Sequence, residues 1–187
     1  MYRAWQEDTS PGTLTDVYFP HDDWVKVIEY DFIDSASLCT PFPCLTFKSN
    51  NFHAPADYFE CGSMHIVSEH FVELMIEFKV SAEYHLVRMF HQNMETRKQY
   101  FLMHILQSID CVDRELSNID IDSMDYIDDF KTLIFNEDKL TNFTLVRVGK
   151  MHSDIVLVRN DLAEAILQRG LTGIKFSNIS EIKSLYY

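Results

Sequence analysis

Glycine and proline are scarce, five of each in 187 residues, which leaves little material for a phosphate-cradling loop or a flexible linker. Cysteine is sparse too. Cys39, Cys44, Cys61 and Cys111 are too few and too irregular for a disulfide framework in a chain of this length. No stretch approaches the roughly eighteen apolar residues of a membrane span. The opening MYRAWQEDTSPG holds no apolar run of the signal-peptide kind. A reduced, cytoplasmic protein is the resulting expectation. Positive charge is the last shortage: sixteen Lys and Arg stand against twenty-nine Asp and Glu, a formal net charge of −13. Nucleic acid and anionic membrane would both repel such a chain. A basic partner suits it, and so does solubility alone.

Against these shortages, 47% of residues are hydrophobic and 13% aromatic, enough to bury a substantial core in one domain over residues 1–187. Two lobes sharing that core, 1–95 and 96–187, stay open as an alternative. The stretch 155–177, IVLVRNDLAEAILQRGLTGIKFS, reads as strand, short amphipathic helix, turn and strand. Residues 155–158 form a continuous apolar run, short enough for a strand buried on both faces. Asn160 and Asp161 offer acceptors to the free N–H groups of a starting helix. Leu162, Ala165 and Ile166 then share one stripe, and Gly170 suits the left-handed residue that ends a helix. A weaker copy stands about ninety positions earlier at 65–87, HIVSEHFVELMIEFKVSAEYHLV. There Ser68 is the natural N-cap, and Phe71, Leu74, Met75 and Phe78 repeat the stripe.

Elsewhere strands outnumber helices. Residues 1–5, 83–90, 97–105, 131–135 and 144–148 read as strands. Pro41 and Pro43 restrict 35–53 to irregular structure or an edge strand. The stretch 21–32 fits strand or helix equally well. Residues 9–15 read as a polar turn. The fold class expected is α+β, with mixed or antiparallel strands and a few short helices. Tyr100, Phe101, Phe130, Phe135 and Phe143 sit in apolar patterns and are expected in the core.

The strongest local bias is acidic. Between 110 and 138 there are ten carboxylates against Arg114 and Lys131. A docking face for a basic partner and a solvated loop are the two readings. Asp120, Asp122 and Asp125 hint at calcium, but an EF-hand needs Gly at position six and a carboxylate at twelve. This chain has Asp125 and Lys131 there. Zinc lacks its spacings, since no HExxH or CxxC occurs. No GxSxG or Walker pattern occurs either. No metal, cofactor or catalytic set is therefore expected.

Three segments, DCVDRELS at 110–117, FTLVRV at 143–148 and LTGIKF at 171–176, carry a resemblance by their order and spacing. The chain resembles the eleventh immunity family of bacterial polymorphic toxin systems, over about residues 100–179. One departure shows. Where that family opens its last helix with Ser, this chain has Arg159, which leaves the capping to Asn160. The resemblance implies a non-catalytic protein that binds a cognate toxin and silences it by occlusion. Its partner would be a basic C-terminal toxin domain, met by Asp120, Asp122, Asp125, Asp128 and Asp129. An interaction module with some other partner is the rival reading, and a hydrolase with scattered carboxylates and histidines is the weaker one.

Overall fold

The structure is a computed structural model that describes residues 1–10, 17–20, 32, 35–38, 41–49 and 55–182. In chain order it forms β1 (Tyr2–Glu7), β2 (Val17–Tyr18), β3 (Thr46–Ser49), β4 (Tyr58–Cys61), β5 (Met64–Ser68), α1 (Glu69–Glu77), β6 (Ala82–His91), β7 (Met94–Glu95) and β8 (Tyr100–Ile105). It continues as β9 (Ser108–Ile109), β10 (Asn118–Ile121), β11 (Ile127–Thr132), β12 (Leu145–Val148), β13 (Val156–Arg159), α2 (Asn160–Gln168) and β14 (Ile174–Asn178). Strands dominate, most pairings are antiparallel, and the class is α+β as expected. Residues 21–31, Cys39 and most of the polar turn at 9–15 lie outside the described residues.

One sheet runs β2-β3-β6-β8-β5-β4, with β7 folded back on β6. The other runs β14-β1-β13-β12-β9. Each contains a split strand–helix–strand unit. In the first sheet β8 lies between β5 and β6, antiparallel to both. In the second, β1 lies between β13 and β14 in the same way. The helix bounds stand ninety-one residues apart, Glu69–Glu77 and Asn160–Gln168. Both helices end alike. Val80 N donates to Met75 O and Leu171 N to Ile166 O, past a left-handed Lys79 and a left-handed Gly170.

The two helix starts differ. Ser68 accepts from Phe71 N, filling one of the orphan donors of a helix N-terminus. Arg159 occupies the same place ahead of α2, and no side chain caps that end. The expectation that Asn160 would cap it fails because Asn160 Oδ1 accepts from Arg3 Nε on β1 instead. Asp161 is held by two bonds from Arg159 and accepts from its own neighbour, Leu162 N. The buried stripe is also shifted: Leu162, Ala163 and Ile166 are buried, and Ala165 is only half-buried.

Alternation along the strands makes three cores. Leu145, Val156 and Val158 face a layer shared with Phe71, Leu74, Met75, Leu162 and Ile166 of the helices. Val146, Val148 and Leu157 point the opposite way, into a second cluster with Ile127, Phe130 and Leu133. This is why 155–158 is apolar without alternation. The third cluster, with Phe47, Phe59, Ile66 and Leu102, lies on the other side of the larger sheet. Trp5 joins β1 to the rest, edge-on to Tyr58, Phe71 and Phe176 at 5.1, 5.4 and 6.1 Å.

Two expectations need correction. The chain at 46–49 does not form an edge strand: β3 starts beyond both prolines and pairs with β2 on one side and β6 on the other. The strand placed at 131–135 lies earlier, at Ile127–Thr132, because that is the stretch whose backbone pairs with β10.

Candidate functional site

The acidic stretch folds into a ribbon. β10 and β11 pair only with each other as a sheet, with Ile119 opposite Phe130, Asp120 opposite Asp129 and Ile121 opposite Ile127. The register shifts between Asp120 and Ile121, so β11 has one residue more than β10 there and Asp128 is the extra one. A bulge of this kind leaves two successive side chains on one side. Ile127 and Phe130 are buried, Asp128 is exposed and Asp129 half-buried. The inner face is thus apolar, and the outer face carries Asp120, Asp128 and Asp129.

The other two acids work within the fold. Asp122 Oδ1 accepts from Met124 N and Tyr126 N at 2.9 and 2.8 Å, closing the turn at the ribbon tip. Its Oδ2 lies 2.9 Å from His152 Nε2. Hydrogen bonding from Tyr126, then from His152, holds its carboxyl below the usual carboxylate range. Asp125 sits in the left-handed region and pairs with Arg114, whose Nη2 also donates to the Asp125 carbonyl at 3.3 Å. Behind the tip, the Tyr126 ring stacks on His152 at 5.4 Å, with Lys150 Nζ 4.7 Å from its centre. The acidic stretch is therefore a supported ribbon with a fixed turn. Asp120, Asp125 and Asp128 are exposed and Asp122 and Asp129 half-buried, and of these Asp122 and Asp125 also hold the ribbon's shape.

Sequence reading missed the ribbon because its inner face repeats irregularly across the bulge. It also passed over the apolar side chains that the ribbon leaves in water. Leu116, Ile121, Met124 and Ile134 are all exposed. The signal was there, since apolar residues embedded among so many carboxylates need not all turn inward. In the segment DCVDRELS, Cys111 and Val112 are buried, and Arg114 bridges Asp110 and Asp125.

A second constellation, also missed, lies between the two sheets. Arg147 on β12 is 2% exposed and donates from Nε to Asp154 Oδ1 at 2.9 Å. Asp154 Oδ2 lies 3.0 Å from His65 Nε2, and His65 Nδ1 lies 2.7 Å from the Tyr58 hydroxyl. That hydroxyl donates to Glu60. Arg147 also donates to the Phe32 carbonyl. Burial alone would raise the Asp154 pKa, but His65 and Arg147 outweigh it and the carboxyl is held low. Burial pushes the Tyr58 hydroxyl well above its ordinary value. An Asp–His–Tyr chain is an acid–base set in composition, yet here each member faces another, with His65 and Tyr58 buried and Asp154 half-buried. Shallow grooves of about 210 and 240 Å³ open elsewhere, one beside Arg88, Glu95 and Arg97, the other beside Arg3, Asn160 and Phe176. Neither is lined by His65, Asp154 or His104. Among the described residues no group of His, Cys, Asp and Glu is arranged to hold a metal ion.

The chain is an α+β scaffold that carries a braced acidic ribbon, and its buried Arg147–Asp154–His65 cluster ties the two sheets together. The model of the immunity protein family (Imm11) matches residues 36–181, and the chain belongs to that family. The match extends well to the N-terminal side of the three segments that carried the resemblance. It implies the role of a non-enzymatic inhibitor that binds a toxin. No curated protein matches the chain.

Proposed function

We propose that this chain is the immunity protein of a polymorphic toxin system, acting in the cytoplasm to bind a cognate toxin and neutralise it by occlusion. The family membership carries the proposal. The outward acids of the ribbon support its electrostatic form. Asp120 stands directly opposite Asp129, and like charges placed so are destabilising. A fold selected for stability alone would avoid that pairing. Such acids would steer a basic C-terminal toxin domain and speed its association more than they would deepen its binding. The chain then acts as one domain over 1–187 and performs no catalysis. The two split units, matched in helix length and in their closing hydrogen bonds, read as copies of one ancestral unit.

The test is protection. A cell expressing the toxin domain encoded beside this chain's gene should survive when the chain is co-expressed and die without it. Death at stoichiometric levels of both proteins would refute the reading.

A further inference from the structure

The ribbon carries more than charge. Ten large hydrophobic side chains are exposed among the described residues, and four of them, Leu116, Ile121, Met124 and Ile134, fall within residues 116–134. Met124 and Ile121 lie at the tip, where Asp122 N donates to Tyr126 O and fixes the turn. Leu116 and Ile134 lie at the base, where Ser117 Oγ accepts from Ile134 N at 2.9 Å. Arg114 reaches from the base turn to Asp125 at the tip, which braces the two ends against each other. Between them stand Asp120 and Asp128, exposed and without an ion pair among the described residues.

We infer that Leu116, Ile121, Met124 and Ile134 are the apolar anchors of the toxin interface, with Asp120 and Asp128 as its charged rim. The inference rests on the immunity reading and names the surface that performs it. The occupant it fits is a protein face with an apolar depression ringed by Lys and Arg. Charge complementarity selects that occupant. A second copy of this chain would bring Asp120 and Asp128 against their own like, and an anionic membrane or nucleic acid would be repelled by the same groups. An apolar centre within a polar rim is the usual anatomy of a protein interface. Met124, at 67% exposed, and Leu116, at 69%, have the least to do for the fold itself. Asp122 and Asp125 act here as positioning residues, through the turn that presents Met124.

The experiment measures binding kinetics of the whole chain with the neighbouring gene's toxin domain, itself made inactive. Leu116→Ser with Met124→Ser should raise the dissociation rate about tenfold or more, with little change in association. Asp120→Lys with Asp128→Lys should slow association about tenfold at low salt, with the difference shrinking as salt is added. Leu86→Ser with Met94→Ser, equally exposed but on β6 and β7, should leave both rates within about twofold. Circular dichroism and thermal midpoints close to the parent establish that each pair folds. If the parent binds and the ribbon variants match it, the immunity reading stands and this surface is wrong. If the parent fails to bind, both fall. A dimer of the chain that Leu116→Ser with Met124→Ser dissociates would assign the surface to self-association and overturn the inference.

Discussion

At the scale of single residues, the informative positions are buried polar groups and two glycines. His104 on β8 is 1% exposed. Its Nε2 donates to the Ala36 carbonyl at 2.7 Å, and its Nδ1 has no partner among the described residues. Protonating Nδ1 would bury an unmatched cation close to Arg147, so burial first, and Arg147 with it, hold the pKa below the ordinary histidine value. The unfolded chain therefore binds the extra proton sooner. Stability should fall as pH drops below about 6.5, the ordinary histidine value, towards the lower folded one. His104→Gln keeps a donor for Ala36 and removes the titration. Urea unfolding at pH 7 and pH 5 should show a loss in the parent that the variant lacks in large part. Equal losses would show that other groups govern this window. Gly173 and Gly170 make a sharper pair. A Cβ on Gly173 would lie 1.9 Å from the Tyr58 carbonyl oxygen at φ +89°, whereas Gly170, at φ +66°, has nothing within 4 Å. Gly173→Ala should cost at least about 3 kcal/mol, through displaced backbone. Gly170→Ala should cost about 1 kcal/mol, through left-handed strain alone. Chemical denaturation of both variants checks the ranking, and equal costs would contradict the close approach.

At the scale of elements, the contrast is between two helices of equal length with unequal starts. Ser68 serves twice, accepting from Phe71 N and donating to Asp57 Oδ1 at 2.8 Å. Arg159 makes no side-chain cap and pairs with Asp161 at the surface. Ser68→Ala should cost about 1–2 kcal/mol. Arg159→Ala should cost under about 0.5 kcal/mol, as an exposed pair. Thermal melts that ranked them the other way would mean the first cap is decorative. The same contrast shows what a sequence can disclose. The helix at 160–168, its Gly170 ending and the doubly buried strand before it were all legible, because each depends on neighbours within a few positions. So was the Ser68 cap. What Asn160 does was not, since Arg3 claims it from a strand at the far end of the chain. The ribbon was legible only as charge. Its bulge at Asp128 breaks the period that would have marked β11, and the roles of Asp122 and Asp125 depend on His152 and Arg114 arriving from elsewhere. The buried Arg147–Asp154–His65 chain left one clue, an Arg inside the apolar LVRV of β12, but no spacing rule links it to His65.

At the scale of the whole molecule, β1 and the turn before β14 add two locks to the core that the two sheets share. The first strand of the chain lies between β13 and β14, in register from Tyr2 opposite Arg159 to Glu7 opposite Ile174. Trp5 from that strand packs on α1 and β4 of the other sheet. A second lock lies at the turn before β14. Asp57 is buried and accepts from Ser68 Oγ and from Thr172 N and Oγ1, at 2.8, 3.0 and 2.9 Å, while Lys98 pairs with it. The hydrogen bonds from Lys98, Thr172 and Ser68 outweigh burial and hold its carboxyl low. The family match begins at residue 36, beyond β1, so it leaves out a strand paired on both sides within its sheet. A chain cut to residues 36–182 should therefore not fold as the parent does. It would leave both flanks of the gap with unpaired backbone, which is a template for aggregation. It would also empty the site of Trp5, a loss of about 3–5 kcal/mol even before the ladder is counted. That is comparable with the whole stability of many domains. The expected outcome is loss of a cooperative thermal transition, with dye binding to exposed apolar surface. Adding a synthetic peptide of residues 1–10 should restore part of the transition, since the peptide carries the missing ladder and the Trp5 side chain together. A truncated chain that melts cooperatively near the parent's midpoint would show that β1 decorates the sheet and does not organise it. In that case the ribbon, packed against Tyr2 through the second core cluster, would also keep its place without it.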